Sequence, residues 1–130
     1  MPPLSTAVSA GDYVFLSGIP PVKNGQVIAP QDIALQAEYV LTKMDEVLAA
    51  FELSLKHLAY VQIYLQSMDD YETVNAVYER HMPQPYPARK VIITDFAVKG
   101  VRVGFENRAA VRLCHAVFIG VKYPDAVDVR

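Results

Sequence analysis

The spacing of apolar residues divides the chain into short strands at the start, followed by helices and strands in alternation. In the first third, short apolar runs are broken by turn residues, with Gly11-Asp12 between two candidate strands and Asn24-Gly25 inside a second hairpin. Asn-Gly is a strong hairpin signal because both residues tolerate positive φ. The pattern therefore predicts two β-hairpins before the first helix.

From residue 31 onward the apolar period becomes that of an amphipathic helix. Over residues 31–51, apolar side chains recur at steps of three and four, which places them on one side of a helix. The members of this stripe are Ile33, Ala37, Val40, Leu41, Met44, Val47, Leu48 and Phe51. The segment is predicted to be a helix with one buried face.

A second helix is predicted over residues 68–82. Asp69 precedes Glu72 by three residues, which is the spacing of a capping box, and Pro83 ends the helix. Side chains at helical spacing form its buried stripe: Tyr71, Val74 and Tyr78.

Three further segments have strand patterns. Residues 60–65 alternate between an aliphatic side and an aromatic-polar side. Residues 89–96 do not alternate, which indicates that both faces are covered, and residues 101–106 alternate again after a turn at Lys99-Gly100. This order predicts an α+β fold with two helices packed on one face of a mixed sheet. The uncovered aromatic-polar side then predicts a partner subunit.

Composition and charge narrow the class of protein. The chain is 52% hydrophobic and 20% charged, which is typical of a folded domain, and its 130 residues suggest a single domain. A net charge of −2 with scattered Lys and Arg disfavours nucleic-acid binding. The single cysteine, Cys114, fits a reducing cytoplasm. We expect no signal peptide and no membrane span, because the longest apolar run, residues 116–121, is too short.

Arg89 is the candidate for binding chemistry. It follows the proline-rich stretch "PQPYPA" at the start of a candidate buried strand, where an unpaired charge is costly. The guanidinium presents a planar set of donors that matches a carboxylate in bidentate fashion. Its partner is either Glu106, closing a subunit interface, or a ligand that carries a carboxylate.

Three stretches resemble the reactive intermediate deaminase family, also called the YjgF/YER057c/UK114 family. They are "AGDYVFLSGIPP", "MDDYETVNAVYERHM" and "PARKVIITDFAVKGVRVGFE", and the resemblance spans residues 4–110. In the last stretch Arg89, Lys99 and Glu106 keep the family register. The resemblance implies a chorismate-mutase-like fold, a homotrimer with clefts between subunits, and no cofactor or metal.

The resemblance also implies an activity and a set of site residues. The activity is hydrolysis of small 2-imino acids to 2-keto acids and ammonia. Arg89 is implied to grip the substrate carboxylate, and Glu106 to help hold the attacking water, which a carboxylate within hydrogen-bond reach is able to do. The remaining substrate-binding positions implied by the family are Ser17, Gly18, Asn75 and Val91, the last through its backbone carbonyl.

The sequence also differs from the family pattern. Leu4 stands where a Tyr is usual, Gly104 where many members carry an acidic residue, and Asn107 and Arg108 where apolar residues are usual. Residues 111–130 run past the usual chain end as an atypical C-terminal extension. Its apolar content favours a tail packed on a neighbouring subunit over an added strand or a partly disordered segment.

Alternatives stay open for both residues and function. Instead of binding substrate, Ser17 is able to donate a hydrogen bond from its hydroxyl to the backbone. Asn75 has a similar alternative role as a hydrogen-bonding residue that stabilises a loop. The loss of Tyr at Leu4 motivates a non-catalytic trimer that binds a 2-keto acid or another carboxylate in the same cleft. Ribonuclease and translation-inhibitor activities have also been ascribed to family members. The acidic charge balance disfavours them here, because phosphate contacts need clustered cations.

Overall fold

A computed structural model of the chain describes residues 2–112. Five strands form one mixed sheet, two short strands form a separate hairpin, and two α-helices pack on the main sheet. The elements in chain order are β1 (Ala7–Ala10), β2 (Tyr13–Ile19), β3 (Val22–Lys23), β4 (Gln26–Val27), α1 (Ile33–Ala49), β5 (Leu58–Leu65), α2 (Tyr71–His81), β6 (Ala88–Ile93) and β7 (Val103–Ala110). The predicted α+β arrangement is confirmed.

Both predicted hairpins are present. Gly11, with φ of +59°, joins the antiparallel strands β1 and β2. Asn24 and Gly25, with φ of 52° and 76°, join β3 to β4. Positive φ at both central residues is the geometry that matches the twist of a two-residue hairpin, so Asn-Gly fits this turn.

Helix α1 buries the predicted stripe and one polar residue. Its fully buried side chains include Ala37, Val40, Leu41, Met44 and Leu48. Asp32 caps its start by accepting a hydrogen bond from the Leu35 amide at 3.1 Å. Gln36, which the apolar pattern leaves out, is also fully buried.

Helix α2 begins later than the capping-box pattern predicts. A 3₁₀ turn over Met68–Asp70 precedes it, and the Ser67 hydroxyl caps that turn by accepting from the Asp69 amide. Asp70 is the N-cap of α2 and makes no side-chain capping bond. The predicted Asp69–Glu72 capping box is therefore wrong, because the 3₁₀ turn places Asp69 ahead of the cap position.

The main sheet runs in the order β1-β2-β7-β5-β6, with β5 and β6 parallel and the other pairs antiparallel. Val61, Ile63 and Leu65 of β5 are buried beneath the helices, as their alternation predicts. Strand β6 lies at the sheet edge, ends at Ile93, and leaves that side chain 45% exposed. Within residues 2–112 this strand is therefore not covered on both faces as the pattern predicts.

The sheet side opposite the helices is called the open face here. It carries the side chains of Phe15, Tyr60, Gln62, Tyr64, Glu106 and Arg108, which share one side by strand register. Large apolar groups are exposed on it, including Val8, Tyr13 and Phe15. The predicted aromatic-polar surface is thus present; neither α-helix covers it, and the Phe96 ring lies over one part of it at Gly104.

Two further predictions concern the C-terminal extension and the absence of a membrane span. The extension was predicted over residues 111–130, and apart from residues 111 and 112 it lies outside the described residues. Within residues 2–112, neither helix has the length and apolar character needed to cross a membrane.

Candidate functional site

The Arg89 side chain rests on two tyrosine rings of α2. Its guanidinium carbon lies 4.9 Å from the centroid of the Tyr78 ring and 6.0 Å from that of Tyr71. Arg89 Nη2 also donates a hydrogen bond to the Tyr71 hydroxyl at 3.4 Å. A cation over an aromatic face is attracted by the ring quadrupole, so the tyrosines hold the half-buried guanidinium without neutralising it.

Arg89 has no carboxylate partner among residues 2–112. The ion pairs of that part of the chain involve Lys43, Arg80, His81 and Arg102 as the basic partners. Arg89 and Glu106 do not pair within residues 2–112; the alternative, in which they pair across a subunit interface, stays a prediction. A guanidinium offers several donors in a fixed fork, and this one remains suited to a carboxylate from outside the described residues.

Asn75 and Val91 lie on the same side of the sheet as Arg89. Asn75 follows Tyr71 by four residues and precedes Tyr78 by three, so it lies on the helix stripe that contacts Arg89. Val91 is two residues beyond Arg89 on β6 and packs half-buried against the core. Helix spacing and strand register therefore place these three predicted site residues on one side of the sheet.

The Tyr78 ring forms the apolar surface beneath the Arg89 guanidinium. This ring stacks on Phe105 at a centroid distance of 6.4 Å and meets Tyr86 at 6.5 Å. Burial raises the pKa of Tyr78 well above its usual value, against the opposing effect of the Arg89 charge. The buried hydroxyl has no hydrogen-bond partner within the described part of the chain. Tyr78 is thus neutral over the physiological range and supports Arg89 with its ring.

Glu106 lies on the open face, with Gln62 opposite it on the neighbouring strand β5. Its Oε2 atom accepts a hydrogen bond from the Tyr64 hydroxyl at 3.2 Å. The Tyr64 hydroxyl in turn accepts from Gln62 Nε2 at 2.8 Å. Partial burial, together with the charge and hydrogen bond of Glu106, raises the pKa of Tyr64 above its usual value.

Arg89 and Glu106 project from opposite faces of the sheet. Strand register places Arg89 beside Val61, and Val61 beside Asn107, all on the helix side. Glu106 precedes Asn107 on β7 and so points the other way. The two backbone positions are two strand spacings apart, or about 10 Å. One chain alone therefore does not bring the two predicted catalytic groups into one site.

Ser17 and Gly18 occupy a bulge in β2. The pairing of β2 with β7 shifts register between Leu16 and Ile19, as a bulge requires. The Ser17 hydroxyl donates to the Ser5 carbonyl at 2.6 Å, so the alternative prediction of a backbone bond is confirmed. Gly18 is exposed, and a Cβ atom there would meet no atom within 4 Å. The described chain leaves open space beside Gly18.

Two further polar residues have surroundings that sequence patterns did not reveal. Tyr64 was assigned to the aromatic-polar side of β5, but its bond to Glu106 depends on how β5 pairs with β7. Asn107 is 1% exposed on the helix side, and both polar atoms of its side chain lack partners within residues 2–112. The one sequence feature that singles out this position is that Asn107 stands where family members usually have an apolar residue.

The described residues contain no group of three or more His, Cys, Asp or Glu arranged to hold a metal ion.

The fold is that of a YjgF-type α+β domain. Its features are the mixed sheet, the two helices on one face, and the spacing of Arg89, Lys99 and Glu106 within residues 87–106. A family model described as Endoribonuclease L-PSP matches residues 1–111. The chain belongs to this family, in which the reactive intermediate deaminases are also found. The resemblance stated from the sequence is thereby confirmed.

Curated relatives and solved structures agree with this assignment. The chain is 34% identical to mmf1, a mitochondrial protein of Schizosaccharomyces pombe, over 80% of its own length and 65% of that protein. It is 35% identical to the 3-aminoacrylate deaminase RutC of Acinetobacter baylyi, over 68% of this chain and 73% of that one. A YjgF family member from Neisseria meningitidis has a similar structure, with a TM-score of 0.77 and 30% identity, covering 88% and 92% of the two chains.

Proposed function

We propose that this protein hydrolyses small 2-imino acids or enamines to 2-keto acids and ammonia, at clefts between the subunits of a homotrimer. The observation that carries the proposal is Arg89, which is half-buried on two tyrosine rings with no carboxylate partner in residues 2–112. Burial of an unpaired cation is costly, and a substrate carboxylate would relieve that cost.

The opposite orientations of Arg89 and Glu106 support a cleft between subunits. Strand β6, which carries Arg89, lies at the sheet edge, and the open face that carries Glu106 exposes apolar groups such as Phe15. A neighbouring subunit packed on the open face is able to bring its own Arg89 toward Glu106. The trimer itself comes from the family resemblance, and closed symmetry makes each cleft equivalent.

The proposed chemistry needs water as its only co-reactant. Water adds to the carbon of the protonated imine while Glu106 accepts one water proton, which gives a neutral carbinolamine. Glu106 returns this proton to nitrogen; the carbinolamine hydroxyl then loses its own proton as the C=O bond forms, the C–N bond breaks, and ammonia leaves the 2-keto acid. Arg89 holds the carboxylate so that the carbon meets the water, and we assign the Val91 carbonyl to the same water. The remaining substrate-binding positions in this proposal are Ser17, Gly18 and Asn75.

The name of one relative supports the substrate class. RutC of Acinetobacter baylyi is named a 3-aminoacrylate deaminase. A carboxylate next to a C–N group of imine or enamine type is the feature that we carry over to this chain.

We also propose one domain over residues 1–130 and a cytoplasmic location, which fits the single cysteine. Because mmf1 is mitochondrial by name, cell fractionation is the check on location.

The test measures ammonia and keto-acid release from an imino acid that an amino-acid oxidase forms in place, after subtraction of spontaneous hydrolysis. We expect Arg89→Ala to lower kcat/KM by about 100-fold, because a charge-assisted bidentate bond is lost. Arg89→Lys keeps the positive charge but loses the planar set of donors, so its kcat/KM should lie between those of the parent and Arg89→Ala. Arg80→Ala is the matched control, since Arg80 is exposed and pairs with Glu38. An Arg89→Ala variant as active as the parent would contradict the role of Arg89.

A second candidate is a non-catalytic trimer that binds a 2-keto acid. The specific observation is Leu4, which is 63% exposed and offers no hydroxyl where the family usually has a Tyr. Calorimetry with a 2-keto acid separates the two functions. Binding that depends on Arg89, with no hydrolysis above background, would favour this candidate over the enzyme.

The description of the family also names an endoribonuclease. The net charge of −2 disfavours RNA as the substrate, since affinity for phosphates rests on clustered cations. RNA cleavage that survives purification and disappears with Arg89→Ala would reverse this choice.

A further inference from the structure

Three side chains form a hydrogen-bonded row on the open face, on the sheet side away from the tyrosines that hold Arg89. Gln62 Nε2 lies 2.8 Å from the Tyr64 hydroxyl, which lies 3.2 Å from Glu106 Oε2. Gln62 and Tyr64 are two residues apart on β5, and Glu106 is on the adjacent strand β7. The row therefore links two central strands of the sheet.

The direction of the hydrogen bonds in this row is fixed by its members. The Gln62 amide nitrogen has only donors, so the Tyr64 oxygen is the acceptor there. The single hydroxyl proton of Tyr64 is then directed to Glu106, whose ionised carboxylate only accepts. Bonds to a charged acceptor are stronger than neutral ones, so Tyr64 fixes the orientation of the carboxylate.

The strand register explains how Tyr64 reaches Glu106. The residue directly opposite Tyr64 on β7 is Gly104, which has no side chain, and Glu106 is the diagonal neighbour. Diagonal positions across an antiparallel pair are within reach of a long aromatic side chain. The Phe96 ring lies over Gly104, 3.4 Å from where a Cβ atom would be, and Tyr64 meets Glu106 beside it.

We propose that Tyr64 is a positioning residue for Glu106 in the hydrolysis reaction. The hydroxyl occupies Oε2 of the carboxylate and directs Oε1 toward the attacking water. This inference rests on the proposed function, because it acts through the role assigned to Glu106. Tyr64 does not contact the substrate in this proposal.

Positioning predicts a particular kinetic signature. Without the hydroxyl, the carboxylate of Glu106 rotates and meets the water in fewer complexes, so the turnover step slows while substrate binding through Arg89 is kept. Tyr64→Phe should therefore lower kcat by about 10-fold and leave KM within about twofold of the parent value.

A neighbouring tyrosine provides the matched control. Tyr60 lies on the same strand and the same face, and its ring lies 5.1 Å below the guanidinium carbon of Arg108. Tyr60→Phe removes a hydroxyl from the same surface but leaves Glu106 bonded to Tyr64. We expect its kcat to equal that of the parent. Light scattering on both variants checks that the assembly on the open face is unchanged.

A double variant tests whether Tyr64 acts through Glu106. Once Glu106→Gln has removed the carboxylate, Tyr64→Phe should cost no further activity. Full activity of Tyr64→Phe beside an impaired Glu106→Gln would overturn the positioning role and leave the proposed function intact. An additional 10-fold loss in the double variant would also overturn it. Full activity of Glu106→Gln would overturn both the positioning role and the assignment of Glu106.

Discussion

The side chains around Arg89 and Glu106 differ in kind. Arg89 is held by the faces of Tyr71 and Tyr78, which supply attraction but only one hydrogen bond. Glu106 is held by a phenol hydroxyl that itself accepts a bond from an amide. Aromatic faces leave a cation able to bind an anion, whereas the phenol limits the rotation of a carboxylate. Each environment suits the role proposed for that residue.

The ionisation of Tyr64 should report its contact with Glu106. The nearby carboxylate opposes formation of a second negative charge, so its removal in Glu106→Gln should lower the pKa of Tyr64 toward the usual value. The measurement is an alkaline titration of tyrosine ring carbons by NMR. The parent protein, titrated under the same conditions, is the reference. An unchanged Tyr64 titration would show that the two side chains are not in contact in solution.

Asn107 is expected to lower the stability of the fold. Its amide is buried on the helix side with neither polar atom bonded within residues 2–112. Asn107→Val replaces it with an apolar side chain suited to a strand and should raise the free energy of unfolding by about 1–2 kcal/mol. Urea unfolding measures the change. Asn107→Asp should act in the opposite direction by burying a charge, and a Val variant less stable than the parent would reveal a partner for the amide.

Gln36 connects segments that are remote in sequence. From inside α1, its Nε2 donates to the carbonyls of Ile28 at 3.0 Å and Gly100 at 2.8 Å, and its Oε1 accepts from the Arg102 amide at 3.0 Å. The turn at Gly100 needs glycine, because φ is +94° and a Cβ would lie 3.2 Å from Pro30 Cβ. This single side chain thus holds the start of α1 against the turn that leads into β7.

Replacement of Gln36 should destabilise the protein although the new residue is more apolar. Gln36→Leu removes the side-chain partner of two carbonyls and one amide in a partly buried region, and we expect a loss of about 2–4 kcal/mol in the free energy of unfolding. Thermal or urea unfolding measures it. Gln31→Leu is the control, since Gln31 is exposed just ahead of the helix and should change stability by less than about 0.5 kcal/mol. Equal stability of the two variants would show that the bonds at Gln36 contribute little.

Within residues 2–112, the sheet has one face that the helices cover and one face that they leave uncovered. Both helices pack on one side, and the other side exposes Phe15 and Tyr13 beside the charged groups of Glu106 and Arg108. Exposed apolar patches on a sheet are typical of surfaces that bind another protein. Together with the edge position of β6, this supports an assembly in which Arg89 of one subunit meets Glu106 of the next.

Subunit mixing tests that arrangement directly. The Arg89→Ala and Glu106→Gln variants should each be impaired, because every proposed cleft then lacks one group. If each cleft takes its two groups from different subunits, random reassembly of equal amounts should restore about a quarter of the native clefts. Activity after co-refolding, with light scattering for the assembly state, is the measurement. A mixture no more active than its components would mean that both groups come from one subunit or that subunits do not exchange.

Much of the fold follows from patterns within short stretches. The hairpins at Gly11 and Asn24-Gly25, helix α1, and the two-sided strand β5 are predicted correctly, because positive φ and one-sided burial are encoded in neighbouring residues. The Asp69–Glu72 cap fails because one 3₁₀ turn shifts the helix start. The partial exposure of β6 within residues 2–112 was not predicted, because strand order, which places it at the edge, is not a local property.

The sequence alone thus determined most of the elements, the buried sides of α1 and β5, the family, and the choice of Arg89 and Glu106 as candidates. Only the tertiary structure decided that these two groups lie on opposite faces, that tyrosines support Arg89, and that Tyr64 bonds Glu106. The physical reason is that periodicity records which side of an element is buried. Which groups meet across strands depends instead on register and strand order, and these are fixed by contacts between residues far apart in the chain.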